Sequence, residues 1–349
     1  MSATVPAAPS IAERTALRRT ILSYAATHII GVTARLGLAD ALADGPLTNA
    51  ELAARVDADP ATLARFLRAL AGLGLVERDA DGRATLTAAG TLLRSDVPGS
   101  LHAIAIHQAS DYYQRTWSGG LEHSIRTGQS AFPLVHGATN WEYRRQHPER
   151  EREFNRSMTS MSAQVIPSIM AAYDFASFRR VIDIGGGRGH LVAEVLGATP
   201  EARGVVFDQP SVADDARAYL AERGLLERCE VAGGSFFDAV PDGGDLYLLK
   251  SIVHDWPDEP STALLRVCRN AMAPTARLIL IERVVRDGPD VPREALLDDA
   301  LGDMNMLVNM AGHERTEDEF RTVLGAAGLT LRRVTPTTSY VSIVEATPT

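Results

Sequence analysis

Val181-Ile182-Asp183-Ile184-Gly185-Gly186-Gly187-Arg188-Gly189-His190 is the stretch on which the fold of this 349-residue chain turns. Arg180–Ile184 reads as a short buried strand that runs through an acidic residue into a glycine cluster. Glycines there let the backbone adopt positive φ and let a ligand approach closely. Helical sequence follows, and strand, glycine loop and helix in that order open a βαβ unit. The same texture continues downstream. Gly204–Asp208, Leu246–Leu249 and Arg277–Glu282 are short apolar strands separated by helical stretches. This alternation predicts a Rossmann-like, mostly parallel sheet over 176–349. Leu329–Val334 and Tyr340–Val344 read as a closing strand pair.

The glycine loop narrows the ligand. Dinucleotide binders favour G-x-G-x-x-G, and His190 stands at that third position. The pattern present is acid-x-Gly-x-Gly-x-Gly, which suits S-adenosylmethionine (SAM). SAM has no pyrophosphate for the helix N-terminus to hold, and its methionine end must lie flat against the loop. Gly185 and Gly187 are therefore candidate cofactor residues. Asp208 ends the next strand, where a carboxylate can accept from both hydroxyls of an adenosine ribose. Gly233–Asp238 precedes the next strand, with Phe236 as an aromatic face and Ser235 as a hydrogen-bonding group for adenine.

Upstream the chain reads as helices. Ile21–Leu42 carries apolar residues at helical spacing, Thr48 and Glu51 form a capping box, and Asp59-Pro60 opens a further helix. Leu75–Arg78 and Arg83–Leu86 flank the turn Asp79–Gly82. Helices followed by a small hairpin make a winged-helix pattern over 15–100, preceded by a flexible terminus at 1–14. From Arg35 to Arg94 seven arginines meet eight carboxylates, so this region reads as structural or dimerising rather than DNA-binding. Residues 101–175 form a helical linker whose Trp117, Trp141, Phe154, Met158 and Met161 could line an apolar pocket for a flat ligand.

Net charge is −9, which disfavours nucleic acid as a partner. No apolar run reaches the ~18 residues of a membrane span. The first ten residues lack the basic and apolar regions of a leader, and two cysteines build neither a disulfide framework nor a metal cluster. A cytoplasmic location fits these features. Of 35 basic residues only Lys250 is lysine, a skew that reads as codon bias from a GC-rich bacterial genome; a lysine kept against that bias is a candidate for a position where arginine would not serve.

Lys250 opens Lys250-Ser251-Ile252-Val253-His254-Asp255-Trp256, just after a strand. Glu282 ends the next strand, and Glu314 lies in Gly312-His313-Glu314-Arg315-Thr316. In open parallel sheets ligands bind beyond the carboxyl ends of strands, so His254, Glu282 and Glu314 share one edge. With these residues in view, the chain resembles the caffeic-acid-type O-methyltransferase family, and within it the bacterial branch that tailors antibiotics such as anthracyclines and mitomycin. The resemblance runs from about residue 15 to the end.

That resemblance implies a seven-stranded SAM-dependent methyltransferase domain and a winged-helix dimerisation domain. It implies His254 as the base for an acceptor hydroxyl, with Glu282 and Glu314 beside the imidazole. Gly185, Gly187, Asp208, Ser235, Phe236 and Lys250 would hold SAM. The acceptor would be a small aromatic or polycyclic metabolite with a phenolic or enolic hydroxyl, no metal would be needed, and the chain would form a homodimer. Ser235 departs from plant relatives, which carry aspartate there. Asp303–Asn309 reads as a loop one residue shorter than the plant pattern, so Met304, Met306 and Asn309 remain general pocket candidates beside Asp255. Competing functions are N-methylation, a non-methylating SAM enzyme of the same fold, and a winged-helix ligand sensor. Retention of His254 and both glutamates argues against the second, and the acidic balance against the third.

Overall fold

The computed structural model describes residues 8–349 as two units, 8–114 with 152–160 and 115–151 with 161–349. Of the terminus expected to be flexible, residues 1–7 lie outside the described residues. The rest of it is shorter than expected, because a helix begins at Ile11 behind a Ser10–Glu13 capping box.

The first unit is built from helices and one hairpin. The run predicted over Ile21–Leu42 is broken: Tyr24–Arg35 ends at Gly37, whose φ of 65° no helix continues, and Leu38–Ala41 starts anew. Asn49–Arg55 and Pro60–Gly72 follow with the caps read from sequence, Thr48 and Asp59. Leu63, Leu67 and Leu70 recur at helical spacing and are buried against Leu38, Leu52 and Val76. Each such leucine contributes roughly 1.5–3 kcal/mol by leaving water. β1 (Val76–Arg78) and β2 (Ala84–Leu86) pair antiparallel around Asp79–Gly82, as the sequence predicts. Leu47 bridges Ala84 as a third rung beside the wing.

The second unit holds the sheet. Its strands are β3 (Arg180–Ile184), β4 (Arg203–Asp208), β5 (Cys229–Gly233), β6 (Leu246–Lys250), β7 (Arg277–Glu282), β8 (Leu329–Pro336) and β9 (Ser342–Pro348). Their order is β5-β4-β3-β6-β7-β9-β8. The first five run parallel, β9 runs antiparallel to β7, and β8 at the edge runs antiparallel to β9. Apolar side chains fill both faces: Val181, Val206, Leu248 and Ile279 on one, Ile182, Val205, Leu249 and Leu280 on the other. Burial on both faces is why these strands read as continuous apolar runs. β5 is absent from the sequence reading. It is an edge strand in which only Cys229 is fully buried, so its apolar signal is weak.

Strand order reverses between β3 and β6, which are parallel neighbours with Ile184 opposite Leu249. The crevice beyond the carboxyl ends at such a reversal is where ligands bind in this kind of sheet. The glycine loop leaves β3 there, and the His254 segment leaves β6 beside it. Among the described residues no helix is long and apolar enough to cross a membrane.

Candidate active site

Gly185, Gly187 and Gly189 all have positive φ, at 66°, 57° and 79°. Side chains there would be strained, and a Cβ on Gly185 would overlap Ile252. Gly187 N–H donates to Asp208 Oδ2 at 2.8 Å, and Gln209 N–H donates to Asp208 Oδ1 at 2.6 Å. The acid that ends β4 is thus fixed against the glycine loop, and burial raises its carboxyl above the usual range. Beneath the loop Asp183 is 1% exposed, and burial pushes it up to about 7 against the opposing charge of Lys250. Among the described residues its Oδ2 has no hydrogen-bond partner. Burial also lowers Lys250, while Asp183 and Glu282 pull the other way. Phe236 packs against Phe237 and lies edge-on to Trp256 at 6.4 Å. Ser235 is exposed, and its Oγ accepts the Phe237 N–H within its own turn.

His254 sits in a single 3-10 turn, Val253–Asp255, after Ser251 has left β6 with φ 57°. Its Nδ1 lies 3.1 Å from Glu314 Oε1 and 3.4 Å from Glu282 Oε2, while Nε2 lies 3.7 Å from Asp255 Oδ1. Both glutamates therefore address the same ring nitrogen. Glu282 is fully buried, and its Oε1 accepts the N–H groups of Ile252 at 3.0 Å and Val253 at 2.8 Å. Burial opposes charge on His254, but Glu282, Glu314 and Asp255 outweigh it and raise the imidazole to about 10. Burial raises Glu282 as well, and brings Asp255 to about 6.

Glu314 is carried on a tight segment. Ala311 has φ 71°, and a Cβ on Gly312 would overlap the His254 carbonyl. Glu314 N–H donates to Asp303 Oδ1 at 3.0 Å. Asp303–Asn309 is helical rather than a loop: it completes the helix Arg293–Asn309, which stops at Met310. Met304 and Met306 are half-buried on it. Asn309 is buried, with Nδ2 donating to Asn305 Oδ1 at 2.9 Å. Trp141, on the helix Asn140–Gln146, stacks on Trp256 with centroids 6.0 Å apart and planes 4° from parallel. Trp117 and Met161 are half-buried in the same unit. Phe154 and Met158 belong to the first unit, where the Phe154 ring lies 5.7 Å from that of His107.

Sequence reasoning gave no role to Arg315, Gly312, Arg283 or Trp256. Arg315, Gly312 and Trp256 stood inside quoted motifs, but their roles depend on tertiary contacts. Arg283 Nη1 reaches Asp299 at 3.1 Å, and its Nε lies 3.9 Å from Glu314.

The O-methyltransferase domain family matches residues 117–330, and the HVO_A0261 N-terminal domain matches residues 23–108. The phenazine O-methyltransferase PhzM of Lysobacter antibioticus is 40% identical over 95% of this chain and 95% of its own. The O-demethylpuromycin-O-methyltransferase of Streptomyces alboniger is 42% identical over 94% of this chain and 87% of its own. The crystal structure of LaPhzM aligns with a TM-score of 0.89 at 40% identity, covering 96% of this chain and 99% of that one. The chain belongs to the O-methyltransferase family. It is a SAM-dependent O-methyltransferase.

Proposed function

We propose that this enzyme methylates a phenolic or enolic hydroxyl of a small aromatic or polycyclic secondary metabolite, with His254 as general base and without a metal. The observation that carries the reading is the imidazole whose Nδ1 faces two buried carboxylates, Glu314 at 3.1 Å and Glu282 at 3.4 Å. Nδ1–H is satisfied on that side, which leaves the Nε2 lone pair to take a proton.

The residues at the glycine loop fit SAM. A backbone at positive φ offers a cradle that side chains would fill, and the fixed carboxylate of Asp208 suits ribose hydroxyls. Gly185, Gly187, Asp208, Ser235, Phe236 and Lys250 would hold it, with Phe236 offering an aromatic face. When bound, SAM supplies an electrophilic methyl group. The chain's part is to hold the acceptor oxygen in line and to receive its proton.

A free phenol has a pKa near ~10 and a free histidine near ~6.5. With His254 raised to about 10, proton transfer from phenol to neutral imidazole is nearly balanced. The corresponding cost appears at neutral pH, where His254 must first lose a proton. The buried glutamates stabilise the imidazolium once it forms. Asp255, Trp117, Trp141, Met161, Met304, Met306 and Asn309 are the acceptor-lining candidates of the second unit.

We infer that two copies associate through the first unit. Ile11, Leu17, Ile21, Leu22 and Tyr24 are large apolar side chains left exposed on its opening helices. Light scattering on the purified protein should give twice the chain mass. A monomer at micromolar concentration would remove this part of the reading.

The direct test incubates labelled SAM with hydroxylated aromatics such as a hydroxyphenazine or a hydroxynaphthoate. Product should carry label on oxygen. His254→Ala should bind SAM normally yet lose roughly 10²–10⁴-fold in turnover. Near-normal turnover by that variant removes the base assignment, and label on nitrogen removes the hydroxyl acceptor.

A further inference from the structure

Arg315 is fully buried, and its guanidinium is committed to one stretch of chain. Nη1 donates to the Val253 carbonyl at 3.1 Å and Nη2 to the Trp256 carbonyl at 2.9 Å. Nη2 also meets Asp258 Oδ1 at 2.8 Å and Ser261 Oγ at 3.1 Å, and Nε meets Asp258 Oδ1 at 3.1 Å. Val253 and Trp256 bracket His254. The Arg315 backbone is tied elsewhere: its carbonyl accepts the Val285 N–H at 2.8 Å, on the chain that continues from Glu282. Its neighbour Glu314 touches His254 directly. One residue thus joins the three segments that carry His254, Glu282 and Glu314.

We propose that Arg315 is a positioning residue for methyl transfer, clamping the carbonyls on either side of His254 so that the imidazole stays against Glu282 and Glu314. The proposal rests on the reading of His254 as the base. Several acceptors must be met at once in fixed directions, which suits a planar guanidinium and not a point-like ammonium. Gly312 is a second, independent sign of the same clamp. It packs so closely under the His254 carbonyl that no side chain fits. Ser251 and Ala311, two of the three described non-glycine residues at positive φ, lie in the two clamped segments. The strained backbone thus lies at the entry to the His254 turn and in the segment that carries Glu314.

The test uses the full-length protein. Arg315→Lys, Arg315→Ala, Gly312→Ala and His254→Ala are compared for SAM affinity by calorimetry and for turnover of a hydroxyphenazine. Misplacing a catalytic group by about 1 Å costs on the order of 10²-fold in rate. Arg315→Lys and Gly312→Ala should therefore lose about 10–100-fold in kcat while SAM affinity changes less than about twofold. Added guanidinium ion should restore part of the turnover of Arg315→Ala and none of that of His254→Ala. A readout that needs no acceptor is the nitrogen-15 spectrum of the histidine rings, with His254 assigned by its loss in His254→Ala. The His254 signal should move in Arg315→Lys and in Gly312→Ala. Wild-type kcat, or an unmoved His254 signal in both variants, overturns the clamp even if Arg315→Ala does not fold. If His254→Ala itself keeps its turnover, the base reading fails first. If it is inactive while Arg315→Lys is normal, the clamp alone fails.

Discussion

Glu282 holds His254 from two directions. One carboxylate oxygen accepts the Ile252 and Val253 N–H groups just before the histidine, and the other lies 3.4 Å from its Nδ1. The same side chain thus fixes the backbone of the turn and the charge of the ring.

Glu282→Gln keeps an acceptor for the two N–H groups and removes the charge. The groups that face His254 are Glu282, Glu314 and Asp255, with Arg283 acting through Glu314. Burial favours neutral imidazole and the carboxylates favour imidazolium, so losing one carboxylate must lower the pKa from about 10. The acid limb of the pH–rate profile should move to lower pH in Glu282→Gln. A raised folded pKa stabilises the protein fully below the unfolded value of ~6.5, and that stability is lost as pH rises through the folded value. The stability advantage of the free wild-type enzyme over Glu282→Gln should accordingly shrink between ~6.5 and about 10. An advantage that grows across that window would contradict the assigned charge state.

Asp208 connects the glycine loop to β4 through the Gly187 N–H at 2.8 Å. Its replacement by alanine removes a charged acceptor from the cofactor side of the site and loosens the loop. Losing a hydrogen bond to a charged group costs about 1.5–3 kcal/mol, so SAM should bind roughly 10–100-fold more weakly to Asp208→Ala. Calorimetry with SAM measures this directly, and unchanged affinity would detach Asp208 from the cofactor.

Much of this was legible in sequence because the signals were local. Caps such as Thr48 and Asp59, the strand Arg180–Ile184 and the positive-φ glycines are dictated by neighbours a few residues away. The sheet-edge placing of His254 and Glu282 followed from strand ends, and Glu314 was grouped with them from its motif ahead of a helix. What sequence could not supply was geometry between distant segments. Both glutamates reach one nitrogen of His254, and Arg315 reaches back 62 residues to the Val253 carbonyl. β5 escaped because an edge strand with one buried residue carries little periodicity. The helix ending at Asn309 escaped because its last turns were compared with a loop pattern in plant relatives.

Gly302 sits inside the helix Arg293–Asn309, where glycine is normally replaceable by alanine with a gain of ~1 kcal/mol. Here a Cβ would come within 2.6 Å of Arg283 Nε. Arg283 cannot yield easily, since Asp299 holds it at 3.1 Å and the ring of Tyr340 lies 4.8 Å from its guanidinium carbon. Gly302→Ala should therefore destabilise by about 1–2 kcal/mol, as overpacking does. Gly197, in the helix His190–Ala198, would place its Cβ in open space. Gly197→Ala should stabilise by about 0.4–1 kcal/mol. Denaturant unfolding of the two variants should show opposite signs, and stabilisation by Gly302→Ala would mean that Arg283 is not held in place.

His254, Glu282 and Glu314 also place three potential ligand atoms within 4.8 Å of one another, close enough to surround a divalent cation. In the proposed base reading the trio instead has a proton to hold. The Arg283 guanidinium stands 3.9 Å from Glu314, where it would repel a metal. A cation on Nδ1 would also displace the hydrogen bond to Glu314 that orients the ring. Methyl transfer to a hydroxyphenazine should consequently survive exhaustive dialysis against EDTA. Added zinc should inhibit, because it competes for the imidazole, and the inhibition should weaken in Glu314→Gln. Loss of turnover on chelation, restored by a divalent metal, would recast the trio as a metal site and withdraw His254 as a free base.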